Sequence, residues 1–313
     1  LHQIKSSMTI AKESHFFNSI FMGLLTITLA ITCDSNRVEK STARENILLG
    51  GSYGELNDQG KLRTYYIYTP KSYRSDQPMP LVLVFHGDGG SGYSISHVTR
   101  FNNLAERQRF IVVYPDGIHH RWNFQGKVDD VPFVRALIDD IKQQRNIDSH
   151  KIYATGFSKG AILTQALACR LSDEIAAFAS VAGSLPVRLK PHCTPQTPVS
   201  MLMINGTNDL EVHYKGDYHS RRDALLSIPD TVKFWQSHDH CTAFTTRNHH
   251  RLKTTHYLNC KDNSEVTQLI IIGGGHFWPG GASTDSDLNR FNRNLGLNAS
   301  KTIWRFCQRH SRV

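Results

Sequence analysis

Lys151-Ile-Tyr-Ala-Thr155-Gly156-Phe-Ser158-Lys-Gly160 is the stretch on which the reading of this chain turns. Residues 151 to 155 mix β-branched and aromatic side chains, the composition of a short strand. Residues 156 to 160 match Gly-x-Ser-x-Gly, and Lys159 to Arg170 then continue with helical periodicity. A serine on a tight strand-to-helix turn is held exposed. The flanking glycines relieve crowding where its backbone is strained, and the helix N-terminus behind it favours negative charge. Gly-x-Ser-x-Gly alone recurs by chance as a glycine-rich turn. The strand before it and the helix after it make Ser158 a candidate nucleophile.

Working outward, Leu81-Val-Leu-Val-Phe85 is an unbroken apolar run, the pattern of a strand covered on both faces. Phe110 to Tyr114, Ala179 to Ala182, Ser200 to Asn205 and Gln268 to Ile272 repeat it. Arg63 to Tyr68 reads as an early strand near a sheet edge, since Pro70 stops it. Between the strands, Phe133, Val134, Leu137, Ile138 and Ile141 mark one face of a helix beginning at Asp130, and Pro229 to Ser237 reads as another. This alternation predicts an α/β fold, a mostly parallel central sheet with helices on both faces, in a single catalytic domain spanning 47–313.

A serine hydroxyl is a weak nucleophile at neutral pH, so Ser158 requires a histidine base and an acid. For this type of turn they follow in the order Ser, Asp/Glu, His. Of the 17 histidines, His276 stands in a loop directly after a strongly apolar strand, behind Gly273-Gly-Gly275 and ahead of Pro279. The strand ending at Asn205 runs into Gly206-Thr-Asn-Asp209, which makes Asp209 the candidate acid, with Glu211 and Asp217 as nearby competitors. The developing oxyanion needs N–H donors, expected from the backbone of Lys159 and of Asp88 in the loop His86-Gly-Asp-Gly-Gly90. His86 precedes the serine, the wrong order for a base, and reads as a loop-ordering residue. The same loop lacks both Gly-x-Gly-x-x-Gly and a Walker lysine, which argues against a phosphate cradle.

Lys5 and Lys12 precede an uncharged run from Ile20 to Thr32, too short for a span of about 20 residues and suited to an export signal. Residues 1–32 are read as that signal. Leu29-Ala-Ile-Thr-Cys33 resembles a bacterial lipobox, so Cys33 is a candidate lipidation site; simple cleavage and an uncleaved anchor are the alternatives. Residues 33–46 are polar, as a tether would be. An exported chain keeps disulfides, and the short separations of Cys169 from Cys193 and of Cys241 from Cys260 suggest two local bridges with Cys307 free, although spacing alone proves no pairing.

The chain's 313 residues include 36 Lys+Arg against 27 Asp+Glu, and 39% are hydrophobic beside 22 glycines, which excludes disordered, collagenous and polytopic membrane classes. The +9 charge is spread out apart from Arg290 to Arg312, which holds Arg290, Arg293, Lys301, Arg305, Arg309 and Arg312 without a carboxylate. With no aromatic-interleaved basic stripe, this reads as a solvated terminal face and not a nucleic-acid site.

Taken in order, Arg63-Thr-Tyr, His86-Gly-Asp-Gly-Gly90, Tyr114-Pro-Asp-Gly117, Trp122-Asn, Asp129-Asp-Val-Pro-Phe133, Gly156-Phe-Ser-Lys-Gly160, Asn205-Gly-Thr-Asn-Asp209 and Gly274-Gly-His-Phe-Trp-Pro-Gly280 resemble the polyhydroxybutyrate depolymerase and feruloyl/acetylxylan esterase group of α/β-hydrolases, carbohydrate esterase family 1 in the broad sense. The resemblance covers about 47–308. It implies Ser158 as nucleophile, Asp209 as acid and His276 as base, an ester substrate, and no metal or cofactor. Trp278, with Trp122, is expected to contact substrate, and the pairs Cys169–Cys193 and Cys241–Cys260 match the family's disulfides. Lys159, Ala161 and Asn205 depart from the usual Asn, Gly and His, which bears on substrate preference more than on catalysis. The membrane enters only through the lipid anchor. Rival readings are a non-catalytic polymer- or carbohydrate-binding lipoprotein, a serine peptidase of the same fold, and a metal site built from His238, His240, His249, His250 and His256.

Overall fold

The computed structural model describes residues 50–124, 129–217, 224–283 and 285–312. The expected export signal, Cys33 and the polar tether lie outside the described residues. In chain order the elements are β1 (Gly50–Asp58), β2 (Lys61–Thr69), β3 (Met79–Phe85), α1 (Gly92–Thr99), α2 (Phe101–Gln108), β4 (Ile111–Pro115), α3 (Asp130–Gln144), β5 (Ile147–Phe157), α4 (Lys159–Arg170), β6 (Ala177–Val181), β7 (Met201–Gly206), α5 (Ile228–His238), β8 (Ala243–His249), β9 (Leu252–Leu258), β10 (Val266–Ile271), α6 (Ser286–Leu295) and α7 (Ala299–Cys307).

The strands form one sheet in the order β1-β2-β4-β3-β5-β6-β7-β10-β9-β8. From β4 to β10 the neighbours are parallel, whereas β1–β2 and β8–β9 are antiparallel hairpins added at the two edges. The apolar runs read from sequence are the parallel strands. Along β3, Leu81, Leu83 and Phe85 face the core under α3, α4 and α5, while Val82 and Val84 face the core under α1, α2 and α7. Helices on both faces make continuous burial possible, and this is an α/β-hydrolase fold, as expected.

The α3 stripe is as predicted, with Phe133, Val134, Leu137, Ile138 and Ile141 all fully buried, and α4 spans the residues read for it. Three strands, β1, β8 and β9, do not correspond to any run read from the sequence. β1, Gly-Gly-Ser-Tyr-Gly-Glu-Leu-Asn-Asp, has no β-branched residue and three glycines. Its place comes from the turn to β2, where Gln59 and Gly60 both take positive φ, as a tight hairpin requires. The histidine-rich region is the β8–β9 hairpin, largely exposed, so it carries no apolar signal. There His256 meets Glu265 and Thr267, and His238 meets Asp239. Among the described residues no cluster of three or more His, Cys, Asp or Glu is arranged to hold a metal.

The disulfides Cys169–Cys193 and Cys241–Cys260 are both present, and Cys307 is a buried free thiol. Burial raises the Cys307 pKa well above that of an ordinary thiol, so it stays protonated and inert. The basic C-terminal stretch is not simply a solvated face. Arg309 pairs with Glu265 at 2.7 Å, and Arg312 donates to the Ile175 carbonyl at 2.9 Å, which fastens the tail to the sheet.

Candidate active site

β5 ends at Phe157 and α4 begins at Lys159, so Ser158 alone makes the turn. Its φ of 56° and ψ of −120° are unusual for a residue with a side chain. Such a conformation costs on the order of 1–3 kcal/mol and persists only where its surroundings enforce it. Here the Ser158 N–H donates to the Val181 carbonyl at 3.0 Å, and the glycines on either side permit close contact. A Cβ on Gly156 would lie 2.2 Å from the Gly160 carbonyl oxygen, and one on Gly160 would lie 2.3 Å from that of Phe85. The motif glycines are thus demanded by backbone crowding between β3, β5 and α4.

β7 and β10 are parallel neighbours, and the loops leaving their C-terminal ends are stitched together. The Asn208 N–H donates to the Gly274 carbonyl at 2.8 Å, and the Gly273 N–H donates to Thr207 Oγ1 at 2.8 Å. That stitching sets Asp209 against His276, whose Nδ1 lies 2.8 Å from Asp209 Oδ2. Asp209 is 4% exposed, and its Oδ1 also accepts the N–H groups of Glu211 and Val212 at 2.9 and 2.8 Å. A carboxylate with these donors is fixed in place, and the imidazole N–H facing it is Nδ1, which leaves Nε2 as the basic nitrogen. Glu211 contributes its backbone N–H to Asp209.

Phe157, the variable residue before the serine, bridges the two halves. Its ring centroid is 4.9 Å from that of His276, and Trp278 packs edge-on behind it at 6.4 Å. Sequence reading passed over Phe157 because a Gly-x-Ser-x-Gly pattern leaves that position open. Only the meeting of β5 with the β10 loop gives it a partner.

The loop after β3 lies beside the serine, since a Cβ on Gly87 would sit 3.3 Å from Ser158 Cβ. Within it the Gly89 N–H goes to the His120 carbonyl and the Gly90 N–H to the Gly87 carbonyl. The N–H groups of Gly87 and Asp88, at the tip of the loop between His86 and Gly89, are therefore the candidates for an oxyanion donor from this loop. The Lys159 N–H, at the first position of α4, belongs to the turn for which a helix supplies no acceptor. The Asp88 side chain is exposed and 3.7 Å from Arg121.

His86 is 1% exposed, donates from Nδ1 to the Gly87 carbonyl at 2.7 Å, and accepts the Gly117 N–H on Nε2 at 3.0 Å. Burial lowers its pKa, partly opposed by the bond to Gly87, so the neutral ring matches its bonding. Its role is to hold the loop, as the sequence order implied.

Neither tryptophan contacts the cleft in the way expected. Trp122 is 5% exposed and donates Nε1–H to the His86 carbonyl at 2.8 Å, while its ring packs on His86 and Phe85. Trp278 is 3% exposed, donates to Ser300 Oγ at 3.0 Å, and packs on Phe101 and Phe157. Both indoles lie beneath the site, supporting the His86 loop and the Phe157–His276 contact. The reason is their committed N–H groups, since a buried indole needs an acceptor and here takes one from the scaffold.

The remaining motif segments converge behind this loop. Arg63 and Asp130, 3% and fully buried, pair at 2.8 Å, and the Arg63 guanidinium lies 3.6 Å over the Phe133 ring. Arg63 also donates to the Asp116 carbonyl, and Asp130 accepts the Asn123 N–H at 2.6 Å. Asp116 accepts the Gly92 N–H and the Thr64 hydroxyl, each at 2.7 Å. Burial raises the Asp130 pKa, opposed by the Asn123 N–H and Arg63. Removing either partner would leave a buried charge without compensation.

Comparison with known proteins bears out the family resemblance drawn from these motifs. Residues 63–188 match the model of the family described as Esterase PHB depolymerase. Feruloyl esterase B of Piromyces equi is 28% identical over 227 residues, 68% of this chain and 42% of that protein. A bifunctional acetylxylan esterase/xylanase of Neocallimastix patriciarum is 33% identical over 229 residues, 70% of this chain and 31% of that protein. The chain thus aligns with less than half of the length of these two relatives. Among solved structures, an acetyl xylan esterase from Aspergillus awamori superposes with a TM-score of 0.58 at 17% identity, covering 77% of this chain and 98% of its own. That likeness is one of fold.

Proposed function

We propose that this protein is an exported serine esterase that hydrolyses carboxylic esters through an acyl-enzyme. The observation that carries the reading is the Asp209–His276 hydrogen bond, held by stitched loops at the same C-terminal end of the parallel strands as the strained Ser158 turn. Ser158 Oγ attacks the ester carbonyl while His276 Nε2 takes its proton. The backbone N–H groups of Lys159 and Asp88 stabilise the oxyanion, and His276 returns the proton to the leaving alcohol. Water, activated by the same imidazole, then releases the acid. Asp209 holds the imidazole tautomer and stabilises the imidazolium. The similarity to feruloyl and acetylxylan esterases supports an ester substrate, with feruloyl, acetyl and 3-hydroxybutyryl groups as the candidate acyl portions. Two disulfides and the leader-like 1–32 segment support export, with Cys33 as the candidate lipid attachment point.

The test is turnover of 4-nitrophenyl acetate, methyl ferulate, acetylated xylan and 3-hydroxybutyrate oligomers by the protein and by Ser158→Ala, together with labelling by a serine-directed phosphonate. Serine-dependent turnover is expected, with the preferred ester identifying the acyl group. A folded protein that neither turns over an ester nor takes the label would favour the binding-protein reading, and cleavage confined to peptides would favour the peptidase.

A further inference from the structure

At the β1 edge of the sheet, beyond the residues used above, three tyrosines form an exposed aromatic surface. Tyr53 of β1 pairs with Tyr66 of β2, which pairs in turn with Tyr114 of β4, so all three stand on one sheet face. Tyr93, in the first turn of α1, closes over them. Ring centroids lie 5.4 Å apart for Tyr53–Tyr66, 5.5 Å for Tyr66–Tyr93 and 6.1 Å for Tyr53–Tyr93. Tyr66 stands at 87° to Tyr93 and at 60° to Tyr53, propping both. The two outer rings lie within 30° of each other. Tyr53 is 68% exposed and Tyr93 48%, a large aromatic area to leave in water when neighbouring tyrosines such as Tyr65 and Tyr114 are buried. Gly51 takes part as well, since a Cβ there would collide with the Tyr66 hydroxyl.

We infer that Tyr53, Tyr66 and Tyr93 form a platform on which sugar rings of a polysaccharide main chain stack, beside the proposed esterase site and dependent on that reading for its purpose. Three features select this occupant. Exposed rings inclined at only 30° to each other suit the flat C–H faces of successive sugar rings, which a flexible aliphatic polyester does not present. The rim is polar, with exposed Glu55 two residues along the same face of β1 and Ser94 and His97 on α1, as hydroxyl-rich chains require. The platform is also continuous with the site. Tyr93 follows the loop that carries Asp88 by five residues, Ser91 caps α1 at the end of that loop, and β2 is three strand spacings from β5, roughly 14 Å. A chain lying on the tyrosines can therefore present an ester group to Ser158.

The experiment uses the full chain carrying Ser158→Ala, so that binding is read without turnover, in affinity electrophoresis through acetylated and deacetylated xylan and in pull-down on polyhydroxybutyrate granules. Xylan should retard the protein. Adding Tyr53→Ala with Tyr93→Ala should weaken that binding about tenfold, from two stacking contacts. Tyr53→Phe with Tyr93→Phe should retain most of it. In the active enzyme the alanine pair should raise KM on acetylated xylan by a similar factor with turnover of 4-nitrophenyl acetate unchanged, and an unchanged melting temperature would show that the edge still folds. Absence of xylan binding, equal binding by the alanine pair, or tyrosine-dependent binding to polyester alone would each overturn the platform. Its failure is distinct from failure of the esterase reading: tyrosine-dependent xylan binding without any ester turnover would retain the first and sink the second, and turnover without such binding would do the reverse.

Discussion

A serine, a histidine and a carboxylate gather at each end of the parallel strands, and the two groups sit in different backbone frames. At the C-terminal ends stand Asp209 and His276, with Ser158 on the turn after β5. At the N-terminal ends stand Ser200, just before β7, and Glu265, just before β10, joined by His310 from the tail after α7. Ser200 Oγ lies 3.1 Å from His310 Nδ1, and His310 Nε2 lies 3.6 Å from Glu265 Oε2. The residue types are the same, and the backbone frames differ. Ser200 is 5% exposed and leads directly into β7, with no helix N-terminus behind it, and Glu265 is engaged by Arg309, Thr267 and His256 as well. Ser158 has positive φ, a helix start after it and a glycine-floored loop beside it. Nucleophilic character resides in that frame more than in the inventory of side chains.

The sharpest way to break this comparison is to remove each serine in turn. Ser158→Ala should lower kcat on 4-nitrophenyl acetate by about 10⁶-fold, the scale of triad removal in serine proteases. Ser200→Ala should leave kcat within about twofold and affect melting alone, as expected of a substitution away from any reacting group. Activity that follows Ser200 would invert the assignment. Next in size is Asp209→Asn, which should cost about 10⁴-fold in kcat because the amide favours the wrong imidazole tautomer. Glu265→Gln should leave kcat unaltered, with stability falling by about 2 kcal/mol through weakened charge-assisted hydrogen bonds, as read in urea unfolding at pH 7.

The pH dependence at that lower cluster has a defined sign. Burial would raise the Glu265 pKa, but the His310 ring at 3.6 Å, hydrogen bonds from Thr267 and Arg309 and the Arg309 charge outweigh it and hold the carboxyl well below the ordinary range. A depressed carboxylate contributes stability above its unfolded pKa of about 4.3, lost as pH falls below that value. The deficit of Glu265→Gln should therefore shrink in urea titrations taken below about pH 4, and a deficit constant with pH would contradict the bonding described. The smallest effect expected is that of Trp122→Phe, which leaves the His86 carbonyl without its indole donor. About 1 kcal/mol of stability should go, with a modest loss of kcat from a looser loop, and a change in KM alone would instead return Trp122 to the cleft.

How much of this was legible follows from what each segment buries. The parallel strands and helices α3, α4 and α5 announce themselves because two helix layers demand apolar runs and one-sided helical stripes. β1 and the β8–β9 hairpin do not, since edge strands with exposed faces need no such pattern. The candidate triad was readable from chain order and strand ends, whereas Trp122 and Trp278 looked like cleft residues because proximity in sequence to Asn123 and His276 does not reveal which way an indole faces. The tyrosine platform was equally hidden, being assembled from β1, β2 and α1 through register and turn geometry.

By itself, then, the order of residues determined the α/β architecture, the Ser158 turn, the candidate acid and base, and the near-neighbour cysteine pairs that the structure joins, because periodicity, turn chemistry and chain order are local or ordinal properties. Tertiary structure alone decided that Phe157 meets His276, that both tryptophans lie beneath the site, that Arg309 and Glu265 anchor the tail, and that Tyr53, Tyr66 and Tyr93 share a face. Those relations depend on which strands become neighbours, and the pairing of strands far apart in the chain is set by the shape of the whole core.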